Sequence, residues 1–191
     1  MKFLAPGILA LGLCLAPGLA SAESYIIDST HAHAGFRVSH FGYSTTLGQF
    51  RDIAGTLEFD QANPAASTVE VTIKTASVDT ANDARDEHLR KADFFNVEQF
   101  PTMTFKSTHI EVTGEKTAKI TGDLTLLGVT KPVTLDATFN QAAPHPMDNT
   151  RYVAGFSATG SLKRTDFGMN YAAPAIGDDI ALIIEAEALR Q

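Results

Sequence analysis

Beyond residue 23, apolar and polar residues alternate with a period of two, and the 3.6-residue spacing of an amphipathic helix is almost absent. Ala32, Ala34, Phe36 and Val38 interleave with His33, Gly35, Arg37 and Ser39. Leu57 and Phe59 follow, then Val69, Val71 and Ile73 between Glu70, Thr72 and Lys74. Ile110 and Val112 come next, then Ile120, Leu124 and Leu126 separated by Thr121, Asp123 and Thr125. Val133, Leu135, Ala137 and Phe139, then Phe156, Ala158 and Leu162, and last Ile180, Leu182, Ile184 and Ala186 complete the series. Successive side chains of a strand point to opposite faces, so each run predicts an antiparallel strand with one face turned to a shared interior. Asn63-Pro64, Gly114-Glu115 and Gly177-Asp178 supply turns, and Pro144 to Thr150 reads as a long hairpin loop. About eight short-linked strands fit a sandwich or an up-and-down barrel, and the alternation does not choose between them.

One segment departs from the pattern. Thr80-Ala81-Asn82-Asp83 provides capping residues for a short helix through Arg90, with acidic groups in its first turn and Lys91 near its end. It leads into Phe94-Phe95 and Phe100-Pro101. Such a helix with two adjacent aromatics closes one end of a barrel or packs on the outside of a sandwich.

The first residues set the expected compartment. Met1-Lys2 precedes an apolar run from Phe3 to Leu19, and Ala20-Ser21-Ala22 offers the small residues of a cleavage site. The run is too short and too broken by Pro6 and Pro17 for a spanning helix. Residues 1–22 are therefore read as a cleaved signal peptide, and the expected location is periplasmic. Cys14, the sole cysteine, lies inside this run after Leu13, a poor context for lipidation. Cleavage leaves 169 of the 191 residues, without a thiol, as a single domain (23–191) that rests on its own hydrophobic core.

Charge excludes some partners. Loss of Lys2 moves the formal balance from -7 to about -8, and no basic run marks a nucleic-acid surface or a polybasic membrane face. No Gly-x-Ser-x-Gly elbow or Gly-rich phosphate loop is present, and Arg85, Asp86 and His88, a candidate acid-base set, are equally explained by a clamp on one face of a short helix. His31 and His33, two apart on a strand, have a spacing that metal sites use, with His40 and His88 as further ligands; hydrogen-bonded structural histidines are the default.

Five local patterns resemble the YceI-like family of periplasmic, lipocalin-like proteins, in order and over residues 25–189. They are Asp28-x-x-His31 with Phe36-x-Val38-x-His40; Ser77-Val78-x-Thr80 with Arg85-Asp86-x-His88-Leu89; Asp93-Phe94-Phe95-Asn96-Val97 with Phe100-Pro101-x-Met103-x-Phe105; Gly122 to Val133; and Arg164-Thr165-Asp166-Phe167-Gly168. Ala32 and Ala34 depart from it, standing where the family usually shows Ser and a larger aliphatic. The resemblance implies a mainly β fold, an eight-stranded antiparallel lipocalin-like barrel with a helical insertion around residues 80–91. It also implies an interior tunnel for a long isoprenoid chain and a binding protein rather than an enzyme.

A prenyl tail needs a continuous apolar lining, since each buried methylene contributes roughly 0.8 kcal/mol. Phe36, Val38, Phe59, Val71, Phe94, Phe95, Phe105, Leu124, Leu135, Phe156 and Phe167 are the lining candidates; in an ordinary β domain they form a filled core. For a diphosphate head the available cations are Arg37, Arg51 and Arg164, whereas a quinone needs only neutral donors. Arg164 also has a plainer role, pairing with Asp166 in a surface turn. The expected partner is thus a polyisoprenoid or isoprenoid-quinone lipid, with no nucleic acid, no stable membrane insertion and no other cofactor; a homodimer is left open. Two further readings stand beside this one: a stress-related interaction protein with an incidental cavity, and a histidine-based metal-dependent hydrolase.

Overall fold

A computed structural model describes residues 22–191. The expected signal segment lies, apart from Ala22, outside them. The strands are β1 (Glu23–His40), β2 (Ser44–Phe50), β3 (Ile53–Phe59), β4 (Thr68–Lys74), β5 (Val78–Asp79), β6 (Thr102–Val112), β7 (Thr117–Leu126), β8 (Val129–His145), β9 (Asp148–Lys163) and β10 (Asp179–Arg190), with one helix, α1 (Asp83–Leu89), between β5 and β6. Neighbours pair antiparallel, and β10 returns to β1, with Tyr25 opposite Arg190 and Arg37 opposite Ala181. That pairing closes the sheet and decides for the barrel over the sandwich.

The ten strands make eight staves. β1 pairs with β2 through its second half and with β3 through its first, so β2 and β3 form one stave broken at Arg51–Asp52. β4 and β5 form another, broken by a 3-10 turn at Thr75–Ser77. Among the described residues, closure leaves only the two-residue β5, which pairs with β2 alone, with an unpaired edge in the barrel wall. Outside, Glu70 faces Lys106 across one strand pair and Lys119 faces Asp136 across another, at 3.2 and 2.6 Å. These charged rungs give the outer wall a polar face, the reverse of a barrel that spans lipid.

The hairpin expected to end in a long loop is tighter. His145 pairs with Asp148, which leaves only Pro146 and Met147 at the tip. Side-chain alternation lapses after Phe139, where the register slips, but backbone pairing continues.

The two ends differ. One carries both ends of the barrel chain and the β3–β4, β6–β7 and β8–β9 connections. It is packed by buried Tyr25, Ala154 and Ala188 and by Phe59, whose ring meets those of Phe139 and Phe156 at 5.2 and 5.3 Å. The other carries α1, the β1–β2 and β7–β8 turns and the β9–β10 loop. Its core joins Phe50, Val78, Phe94, Phe95, Met103, Leu126, Val133, Phe167 and Met169.

α1 is as short as its caps allow. Asn82 accepts a hydrogen bond from the Arg85 N–H at 3.0 Å, with Asp83 and Asp86 in the first turn. Asp86 is buried and accepts from both the N–H and the hydroxyl of Thr80, at 2.9 and 2.5 Å. Arg90 donates to the carbonyls of Ala76 and Val78, tying the helix end back to the wall.

Candidate functional site: an apolar cavity through the barrel

The inward residue of nearly every rung is aliphatic or aromatic, and together they leave a cavity of about 660 Å³. That lies within the range of pockets that enclose most of a ligand's surface. Ala32, Ala34, Phe36 and Val38 line it from β1, Val69, Val71 and Ile73 from β4, Phe105 and Ile110 from β6. Ile120 and Leu124 follow from β7, Leu135 and Phe139 from β8, Phe156 and Ala158 from β9, and Leu182 and Ile184 from β10. The lining runs the length of the barrel, from His40, Arg85, His88, Tyr171 and Ile176 at the helix end to Gln61, Pro64 and Gly114–Thr117 at the other.

Two glycines keep the lumen open. A Cβ on Gly48 would collide with the ring of Phe36, its partner across β1 and β2, and one on Gly122 would collide with the ring of Phe105. Both rings therefore lie against the wall, in the space a side chain would take, instead of crossing the lumen.

Ten of the eleven expected lining residues border the cavity: Phe36, Val38, Phe59, Val71, Phe94, Phe95, Phe105, Leu124, Leu135 and Phe156. Phe94 and Phe95 are buried at the helix end, and Phe95 meets Phe50 edge-on at 5.2 Å, so this pair closes the barrel rather than packing outside. Phe167 is the correction. It is 2% exposed but sits beneath the β9–β10 loop, in the 3-10 turn Arg164–Phe167, packed in the core and not on the lumen. A turn has no strand periodicity, so nothing local to Phe167 reports its direction.

The cations are redistributed further. Arg37 is exposed and shares the outer face of its rung with Leu47. Arg51 is exposed too, its Nε donating to Asp79 at 2.6 Å. Neither borders the cavity. Alternation explains Arg37, since a wall that turns Phe36 and Val38 inward turns Arg37 outward. Arg164 does reach the lining, but it does not pair with Asp166. Only 2% exposed, it donates to the carbonyls of Gly177, Met169 and Ile176, each at 2.9 Å, and pins the β9–β10 loop over the barrel end. Burial pulls its pKa down from the usual arginine value.

Sequence reasoning passed over the polar rim at the helix end. Arg85 makes no carboxylate clamp; its Nε and Nη2 donate to the hydroxyl and carbonyl of Thr80 at 2.7 and 2.8 Å. His88 approaches Asp93 at 3.2 Å and stacks edge-on against Phe94 and Tyr171. The short helix expected here carries Arg85 and His88 to the rim, but Tyr171 comes from a distant loop that no local pattern links to it. His31 meets Asp28 at 3.1 Å, and among the described residues no three His, Cys, Asp or Glu side chains converge as a metal-binding group.

Closure, alternation and lumen together define a hollow antiparallel barrel of the lipocalin-like class. The chain belongs to the YceI-like family: the model of the YceI-like domain matches residues 25–188. A UPF0312 protein of Ectopseudomonas mendocina is 47% identical over 185 residues, 96% of each chain. Protein YceI of Escherichia coli O157:H7 is 44% identical over 187 residues, covering 97% of this chain and 96% of its own. Among solved structures, the Campylobacter jejuni YceI protein is 37% identical with a TM-score of 0.71, over 80% of this chain and 90% of that one. A polyisoprenoid binding domain from Saccharophagus degradans, 13% identical, shares the fold at a TM-score of 0.66 over 89% and 99% of the two chains.

Proposed function

We propose that this protein carries or stores a lipid with a long isoprenoid tail, a polyprenyl phosphate or a prenyl quinone, in the periplasm, and that it acts by binding and not by catalysis. The observation that carries the reading is the unbroken apolar lumen, from Val71 and Phe105 through Leu135 and Ala158 to Leu182, bordered by polar groups at the barrel ends. Burial of the tail drives binding, at roughly 0.8 kcal/mol per methylene, and the rim fixes the head. Arg85, His88 and Tyr171 at the helix end are the head-group contacts in this account. The polyisoprenoid-binding domain of the same fold supports the ligand class, and the segment Met1 to Ala22 supports export.

Titration of delipidated protein with a prenyl quinone and, separately, a polyprenyl phosphate tests this through displacement of an apolar fluorescent dye. Saturable one-to-one displacement by either is the expected result. Displacement by short-chain alcohols but by neither prenyl lipid would overturn it.

A further inference from the structure

The β1–β2 hairpin ends in a turn that looks unsuited to water. Phe41 and Gly42 both have positive φ, 52° and 74°, and the Tyr43 N–H closes the turn on the His40 carbonyl at 3.0 Å. Asn or Gly is the usual occupant of such a first position, and a bulky aromatic is strained there. The β7–β8 turn has the same shape, Leu127 and Gly128 at 52° and 73°, yet Leu127 packs against the core. Phe41 gains no such burial. It is 51% exposed, Tyr43 is 93% exposed and Leu47 63% exposed. Residues 41–48 carry no charge.

Position and charge say what covers this tip. His40 and Thr46, on its last inward rungs, line the cavity, and the Phe41 N–H donates to the Ala175 carbonyl in the loop that brings Tyr171 and Ile176 to the rim. The apolar tip thus adjoins the helix end of the cavity. Across from Leu47 on the same outer face stands Arg37, whose guanidinium has neither a carboxylate nor a hydrogen-bonding partner among the described residues. Aromatic rings, a leucine and one free guanidinium make the composition of a bilayer interface, where rings sit at head-group depth and arginine reaches phosphate.

We propose that this tip docks the barrel on a lipid bilayer, with Phe41, Tyr43 and Leu47 entering the head-group layer and Arg37 meeting a lipid phosphate, so that the capped helix end of the cavity faces the membrane. The docking rests on the tip alone; its use for loading rests on the carrier reading above.

Flotation of the intact protein with vesicles of phosphatidylethanolamine and phosphatidylglycerol tests it, with prenyl-quinone uptake from solution measured in parallel. Wild type is expected to float, and the triple variant Phe41→Asn, Tyr43→Ser, Leu47→Thr to lose about tenfold in vesicle affinity as its apolar contacts go. Asn suits the left-handed turn, so the triple variant keeps its fold and its quinone uptake. Arg37→Gln is expected to lose about fivefold on these vesicles, and less on pure phosphatidylcholine, which keeps the phosphate but lacks the net negative surface charge. Wild type that fails to float, or a triple variant that floats equally well, would overturn the docking. Flotation by a wild type that takes up no quinone would uphold the docking and sink the carrier reading instead.

Discussion

Single residues decide how hollow this barrel is. Gly122→Ala would put a methyl where the Phe105 ring lies, and its other near neighbour is the Lys106 backbone, which cannot give way. The ring is expected to turn into the lumen, shortening the lipid tail that fits and costing about 1–3 kcal/mol; chemical denaturation and dye uptake check both. Asp28 contributes to the acid limit. Its carboxylate accepts from the Thr30 hydroxyl at 2.6 Å and the Thr30 N–H at 3.0 Å, and it meets His31 and, at 3.4 Å, Arg151. The Thr30 hydroxyl is the largest cause holding its pKa at about 2. A carboxylate whose pKa falls on folding adds stability that is full above its unfolded value near 4 and is lost as pH drops toward 2. Asp28→Asn is therefore expected to cost about 1–2 kcal/mol at pH 7 and to flatten the stability curve between pH 4 and 2. The inward residues were legible here because alternation fixes direction: Val71, Leu124 and Leu135 border the lumen as their runs require. The same rule places Arg37 outside, whereas Arg164 and Phe167 sit in a turn where no period applies.

At the scale of elements, the segment from Thr80 to Pro101 acts as a fixed cap on one end. Its anchor is Asp86 beneath Thr80, and its seat is Thr75, whose hydroxyl donates to the Phe100 carbonyl at 2.7 Å. Asp86→Ala leaves the Thr80 N–H and hydroxyl without this acceptor in a buried place, at a cost of about 2–4 kcal/mol. Loss of the anchor is also expected to quicken ligand exchange, read as faster dye release in stopped flow, with the wall strands keeping their hydrogen-exchange protection. Equal protection and an unchanged release rate would show that the cap is held elsewhere. The existence of this helix was legible from Asn82 and its neighbours. Its placement over the lumen was not, because it depends on Phe50, Phe94 and Phe95 meeting from separate stretches of chain.

At the scale of the molecule, closure turns eight amphipathic staves into a container. The decisive contact joins the first strand to the last, Tyr25 with Arg190 and Phe36 with Leu182, residues far apart in sequence. Local pattern cannot distinguish this from two packed sheets, since both bury one face of every strand. The volume left inside is likewise a property of the whole, set by small lining residues such as Ala32 and Ala158 and by Gly122, over which the Phe105 ring lies. Ala158→Phe, projecting into the lumen from β9, is expected to block the tail with a small change in stability, because room for the ring already exists. The carrier reading is tested most directly by a native mass spectrum of the protein purified gently from its own cells, with any bound lipid extracted and identified. A one-to-one adduct with a polyprenyl compound, lost in the Ala158→Phe variant, is the result this account requires. An apo mass that stays unchanged on incubation with prenyl lipids would contradict it.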